Sequence, residues 1–246
     1  MLKKALYYRI SRIWIPYIFL CFAFISYSLY NLSQATSIYK SMKNISIPIN
    51  PFYYFSSHSL ITFVFIMSIT ICYVFYMSKD YLQGKTRWML IPSSHKYNVI
   101  ADFVVFTGLL IILHIISYVL LTFMFHHHLQ ILSSNQVVLL DVYYNFQYLI
   151  SNDLLSSILF PHTFISITVL LCMYLFLITG SISFLFMIVN TSTPSILDAV
   201  IYCSGIFLAF MSFNYWHSDV LQIVILLSHS VVFIYLLKKN WRLKVC

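Results

Sequence analysis

An α-helix needs about 20 mostly apolar residues to cross the hydrocarbon of a bilayer, and this chain holds six such runs: 14–32, 58–78, 99–125, 163–189, 195–213 and 220–237. Backbone N–H and C=O groups in lipid meet no water, so each must be satisfied inside its own segment, and the runs are expected as helices. The period-2 alternation of a membrane barrel strand is missing. Little is left for a water-facing surface. The chain has 246 residues, 61% hydrophobic and 8% charged, with a mean hydropathy of +0.88; a soluble domain carries about 25% charged residues. The fold class expected is all-α, a polytopic membrane protein forming one transmembrane domain over 1–246, with no internal repeat.

Orientation follows from Lys and Arg. Lys3, Lys4, Arg9 and Arg12 precede the first run. Lys79, Lys85, Arg87 and Lys96 lie between the second and third, and Lys238, Lys239, Arg242 and Lys244 follow the sixth. In a six-span arrangement all of these fall on one side and only Lys40 and Lys43 on the other. The expectation is a cell-membrane protein with both termini, the loop 79–98 and the tail 238–246 in the cytoplasm. The outer loop 126–162 has no Lys or Arg. The net charge of +8 then suits loops held against an anionic leaflet better than nucleic acid, for which no aromatic-studded basic groove exists. The start, "MLKKALYYRISRIW", is basic and then apolar like a signal peptide. Its apolar part runs on too long and lacks a small-residue cleavage site, so it is expected to be retained. Over 2–14, Leu2, Leu6, Ile10 and Ile13 share a helical face, with Lys3, Lys4, Arg9 and Arg12 largely away from it. That pattern suits a separate interfacial helix in the headgroup plane, or a simple basic anchor. Residues 137–150, apolar but interrupted by Asp141 and Asn145, suit an interfacial or re-entrant helix at the outer leaflet, or a plain loop.

Enzyme chemistry finds little support. All six acidic residues are Asp, so no HExxH metalloprotease motif and no paired-glutamate peptidase motif can be built. No GxSxG elbow and no Walker A loop occurs. Cys21, Cys72, Cys172, Cys203 and Cys246 form no CxxC, and the first four read as small packing residues. No metal site is expected. The triplet His126–His128 cannot converge on one metal from a regular helix, because consecutive side chains point about 100° apart. His114 and His229, each within a span, could face one another as axial ligands of haem, which makes a membrane haem or redox-assembly protein the alternative function. Asp102 and Asp198 lie too near span ends for a central proton carrier, and pairing with a nearby Lys or Arg explains them at little energetic expense. "TGSIS" at 179–183 is the best tight-packing helix face.

The loop between the second and third runs carries the one motif. In "KDYLQGKTRWMLIPSSHK", Asp80 precedes Gly84 by four, and Leu90, Pro92 and Ser94 follow before the next run begins at Val99. This resembles the permease subunits of ABC exporters of the ABC-2 type, with an acidic residue, Gly-Thr four positions on, a leucine-rich turn, P-x-S-R and a Lys entering the third span. Here Lys85 replaces Thr, His95 stands where Arg is common, Asp102 where Lys is common, and the acid is Asp instead of Glu. The basic start, six spans and length fit the same plan, although the short link between spans five and six does not fit the re-entrant helices of many members.

The resemblance implies a chain that is not an enzyme and binds no cofactor, ATP and Mg being held by a partner. That partner is a cytoplasmic ATPase, present in two copies, gripping a coupling helix formed from the loop: Asp80, Leu82, Gly84, Lys85, Arg87, Trp88, Leu90 and Pro92 make the docking surface. A glycine at 84 permits a tight turn, and Pro92 would stop a helix begun near Tyr81. Leu82, Trp88, Met89 and Leu90 would supply apolar anchors, and Lys85, Arg87 and Lys96 charge. A second permease chain, identical or homologous, would complete the path. Compact members rich in Tyr, Phe and Ile resemble Gram-positive exporters of antimicrobial peptides, lantibiotics and phenol-soluble modulins, so the implied cargo is amphipathic or hydrophobic, a peptide foremost.

Overall fold

In the computed structural model the described residues are 2–41, 46–47, 52, 54–82, 92–151, 154–190, 200–202, 204–205, 207 and 219–242. Nearly all are helical. Helix α1 spans Leu2–Ser41, α2 Tyr54–Leu82 and α3 Pro92–Ser134. Two short helices follow, α4 (Phe146–Ser151) and α5 (Leu154–Leu159), then the long α6 (Phe164–Asn190) and α7 (Asp219–Arg242). The two-residue strands β1 (Ser46–Ile47) and β2 (Val138–Leu139) pair in parallel, Ser46 opposite Val138 and Ile47 opposite Leu139.

Five helical segments are long and apolar enough to cross a membrane: Leu2–Ser41, Tyr54–Lys79, Tyr97–Ser134, Phe164–Leu185 and Val220–Lys238. They match the expected runs 14–32, 58–78, 99–125, 163–189 and 220–237. The remaining run, 195–213, falls mainly outside the described residues; 200–202, 204–205 and 207 are helical.

The separate interfacial helix expected over 2–14 does not exist as an element. Helix α1 is continuous through Pro16, because proline keeps a helical φ and at that point removes a single N–H bond. The buried face is also different from the one expected. Ala5, Arg9, Ile13 and Tyr17 face inward, one per turn, while Ile10 is 52% exposed.

The contacts between α1, α2 and α3 fix their directions. Arg9 meets Asp102, Tyr17 meets Leu109, Thr36 meets His128 and Tyr39 meets Asn135, so α1 and α3 run parallel. His58 meets Ser117 and Tyr73 meets Asp102, so α2 runs antiparallel to both. From Arg9 to Thr36 is about 40 Å along the helix at 1.5 Å per residue, longer than a hydrocarbon core of about 30 Å.

The exposed side chains change character along each helix. From Ile10 to Tyr30 the exposed side chains of α1 are apolar except Ser11 and Arg12 at the N-terminal edge and Ser26; on α3 they are all apolar from Phe103 to Phe123. Each band is about 30 Å long. Beyond it the exposed set becomes Ser33, Gln34, Ser37, Ile38, Lys40 and Ser41 on α1, and His126, Gln130, Ser133 and Ser134 on α3. The last turns of both helices therefore continue past the apolar band as a paired, more polar extension. It is closed by the β1–β2 pair and by an aromatic core in which Phe52, Phe55, Phe125 and Phe146 meet edge to face or tilted. Helix α3 ends in a left-handed cap, with Gln136 at φ 58° and Val137 N–H donating to the Leu132 carbonyl.

On the other flank α7 packs against α6. Phe233 is wedged between two glycines, where an added Cβ would lie 3.0 Å away at Gly180 and 3.1 Å away at Gly205. Tyr202 stacks on Phe233 and donates its hydroxyl proton to Ser183. The 179–183 stretch thus makes the close helix contact expected of its small residues.

Candidate functional site

At the N-terminal rim of the apolar bands of α1 and α3 three helices meet on one carboxylate. Asp102 of α3 accepts from Arg9 Nε on α1 at 2.5 Å and from a terminal guanidinium nitrogen at 3.2 Å. Tyr73 of α2 donates its hydroxyl proton to the same Oδ1 at 2.6 Å. Arg9 and Asp102 are both 0% exposed, and the Tyr73 ring stacks on Phe106 at 4.8 Å. The fork of the guanidinium matches the two carboxylate oxygens, which fixes orientation as well as distance.

This arrangement neutralises an Asp by an Arg, as the sequence suggests for Asp102. The Arg is one that sequence reasoning placed in the headgroup plane, and Tyr73 carried no signal beyond being one of many aromatics. The clamp lies close to the expected coupling segment. Asp102 is about 15 Å along α3 from Pro92, and Tyr73 about 14 Å along α2 from Leu82.

Of the docking residues, Asp80 and Leu82 belong to the last turn of α2 and Pro92 opens α3. Tyr81 continues α2, and Pro92 starts a helix, a position where its missing N–H has no partner to lose; the stretch between them, where the coupling helix is expected, lies outside the described residues. Gly84, Lys85, Arg87, Trp88 and Leu90 lie outside the described residues, as does Asp198.

The histidines diverge as the helical geometry requires. His126 is exposed and bonds through Nδ1 to the carbonyl of Thr122, and His127 stacks on Phe123. His128 is buried between the rings of Tyr39 and Tyr54. His114 lies against Phe160 and Tyr174. His229 bonds to the Ile225 carbonyl of its own helix and abuts Gly205. The described contacts do not bring His114 and His229 together. Among the described residues no group of three or more His, Cys, Asp or Glu could hold a metal ion.

Helices of this length and apolarity define a multi-pass helical membrane protein. The chain matches no family model, no curated protein and no solved structure.

Proposed function

We propose that the chain is the transmembrane permease subunit of an ATP-driven exporter, moving an amphipathic or hydrophobic cargo, foremost a peptide, out of the cytoplasm or inner leaflet. Two copies of a separate cytoplasmic ATPase energise it, and a second permease chain, identical or homologous, completes the path. In this reading the basic ends and the loop 79–98 face the cytoplasm of a cell membrane.

The observation that supports it is the clamp of Arg9, Asp102 and Tyr73. A coupling loop works only if the helices leading from it move as a unit. Here the basic start of α1, the end of α2 and the start of α3 are tied at one buried point two to three turns from the loop. A force applied between Leu82 and Pro92 reaches three helices together.

The test is co-purification of the chain with its ATPase from membranes, alongside ATP-driven transport. Trp88→Ala and Arg87→Glu should each lose most of the bound partner while the permease remains folded. If both retain the partner and full transport, the docking surface is elsewhere.

A further inference from the structure

His114 lies at the middle of the apolar band of α3, and around it polar atoms are buried without partners. His58 of α2 is 1% exposed. Its Nε2 lies 3.2 Å from the Ser117 carbonyl and 3.0 Å from the Ser117 hydroxyl. A carbonyl only accepts, so Nε2 carries the proton and Nδ1 is a bare lone pair. Thr62 donates to the His58 carbonyl and so accepts from Ser117 at 2.6 Å, which leaves Ser117 no proton to offer elsewhere. His58 Nδ1 has no hydrogen-bond partner, nor has His114 Nδ1 or the hydroxyl of Tyr174 on α6. Both imidazoles stack on Phe160, at 6.1 Å and 5.8 Å. Phe160 directly follows α5, its N–H donating to the Ser156 carbonyl, at the start of the link to α6.

Buried polar groups are ordinarily satisfied, and an ionisable group deep in a membrane span marks a site by default. His58 Nδ1 is an acceptor, and the Tyr174 hydroxyl can accept as well as donate; around them lie the ring of Phe160, stacked on both imidazoles, and the edges or tilted rings of Phe24 and Tyr174. The bare lone pair of His58 and the π face of Phe160 favour a cation that brings protons of its own. We propose that His58, His114, Tyr174 and Phe160 form an intramembrane site for a protonated primary amine on an apolar body, the ring of Phe160 swinging aside to admit it. As a station for cargo the site rests on the exporter reading; as a binding site it does not.

The test uses the chain alone in lipid nanodiscs, without ATPase, and measures saturable binding of tritiated dodecylammonium above that of empty discs. Dodecyltrimethylammonium, which has charge but no proton to donate, should compete about tenfold more weakly or worse than unlabelled dodecylammonium, and dodecanoate should not compete. His58→Gln keeps an amide near the Nε2 position to bond Ser117 and removes the acceptor at Nδ1; it should fold and bind about tenfold more weakly. His58→Asn restores an acceptor there and should recover most of the binding. Absence of saturable binding, equal competition by dodecanoate, or wild-type binding by His58→Gln overturns the site. Because no step depends on ATP or a partner, these results stand apart from any failure of the exporter reading.

Discussion

Replacing Asp102 by Asn keeps the shape of the side chain and removes its charge, which makes it a direct probe of the clamp. In the native protein the carboxylate accepts two bonds from Arg9 and one from Tyr73, with both charged groups fully buried. Asn would leave the guanidinium without a counter-charge and set an NH2 donor against a donor. Breaking a buried pair by removing one partner costs about 3–5 kcal/mol. Arg9→Met should cost a similar amount, since it strands the carboxylate with the tyrosine hydroxyl. The pair Arg9→Met with Asp102→Leu removes both charges and should return stability to within about 1 kcal/mol of the native chain, because apolar replacement of a buried pair is often neutral. Thermal unfolding in detergent, followed by fluorescence-detected size exclusion, reads the difference. At about 2–4 °C per kcal/mol for a chain near this size, each single change should lower the midpoint by about 6–20 °C, and the double change should recover most of it. A double variant that melts as low as the worse single would show that the two side chains do not act as a buried pair.

Other changes test the remaining features. Gly180→Ala and Gly205→Ala push a methyl against the Phe233 ring and should each destabilise by about 1–3 kcal/mol, with Phe233→Leu relieving either in a thermal-stability cycle. Gln136→Gly should stabilise by up to about 1 kcal/mol, because a left-handed residue is strained unless it is glycine; Gln136→Val should do the reverse in the same assay. Tyr17→Phe loses the hydroxyl bond to the Leu109 carbonyl and should cost about 1 kcal/mol. With the native cysteines replaced, Lys40→Cys should react with an impermeant maleimide from the side of the membrane opposite to Lys3→Cys and Lys79→Cys. Labelling of all three from one side would contradict a membrane-crossing course for α1 and α2.

The sequence reveals the spans because hydropathy reports what faces lipid. It misleads on the face of α1 for the same reason. In water the apolar stripe of a helix turns inward, but in a bilayer lipid takes that role. Thus Ile10 points out and the charged Arg9 points in. The partner of Arg9 is 93 residues away, beyond the reach of any local pattern, although the need of Asp102 for a cation was readable. Helices α1 and α3 run beyond the expected spans because polar exposed turns such as 33–41 look like loop to a hydropathy window while remaining helical. The glycine at 180 was readable as a close approach; which ring fills it was not, since Phe233 is one of 22 phenylalanines.

The paired extension of α1 and α3 has a mechanical consequence. Two stiff rods that share a pivot at Arg9 and Asp102 and reach about 45–50 Å beyond it would act as a lever whose short arm lies near the loop. A swing of about 10° at the pivot would carry the far tip, with Tyr39 and Asn135, through about 8 Å. Small displacements on one side of the membrane would thereby become large ones on the other.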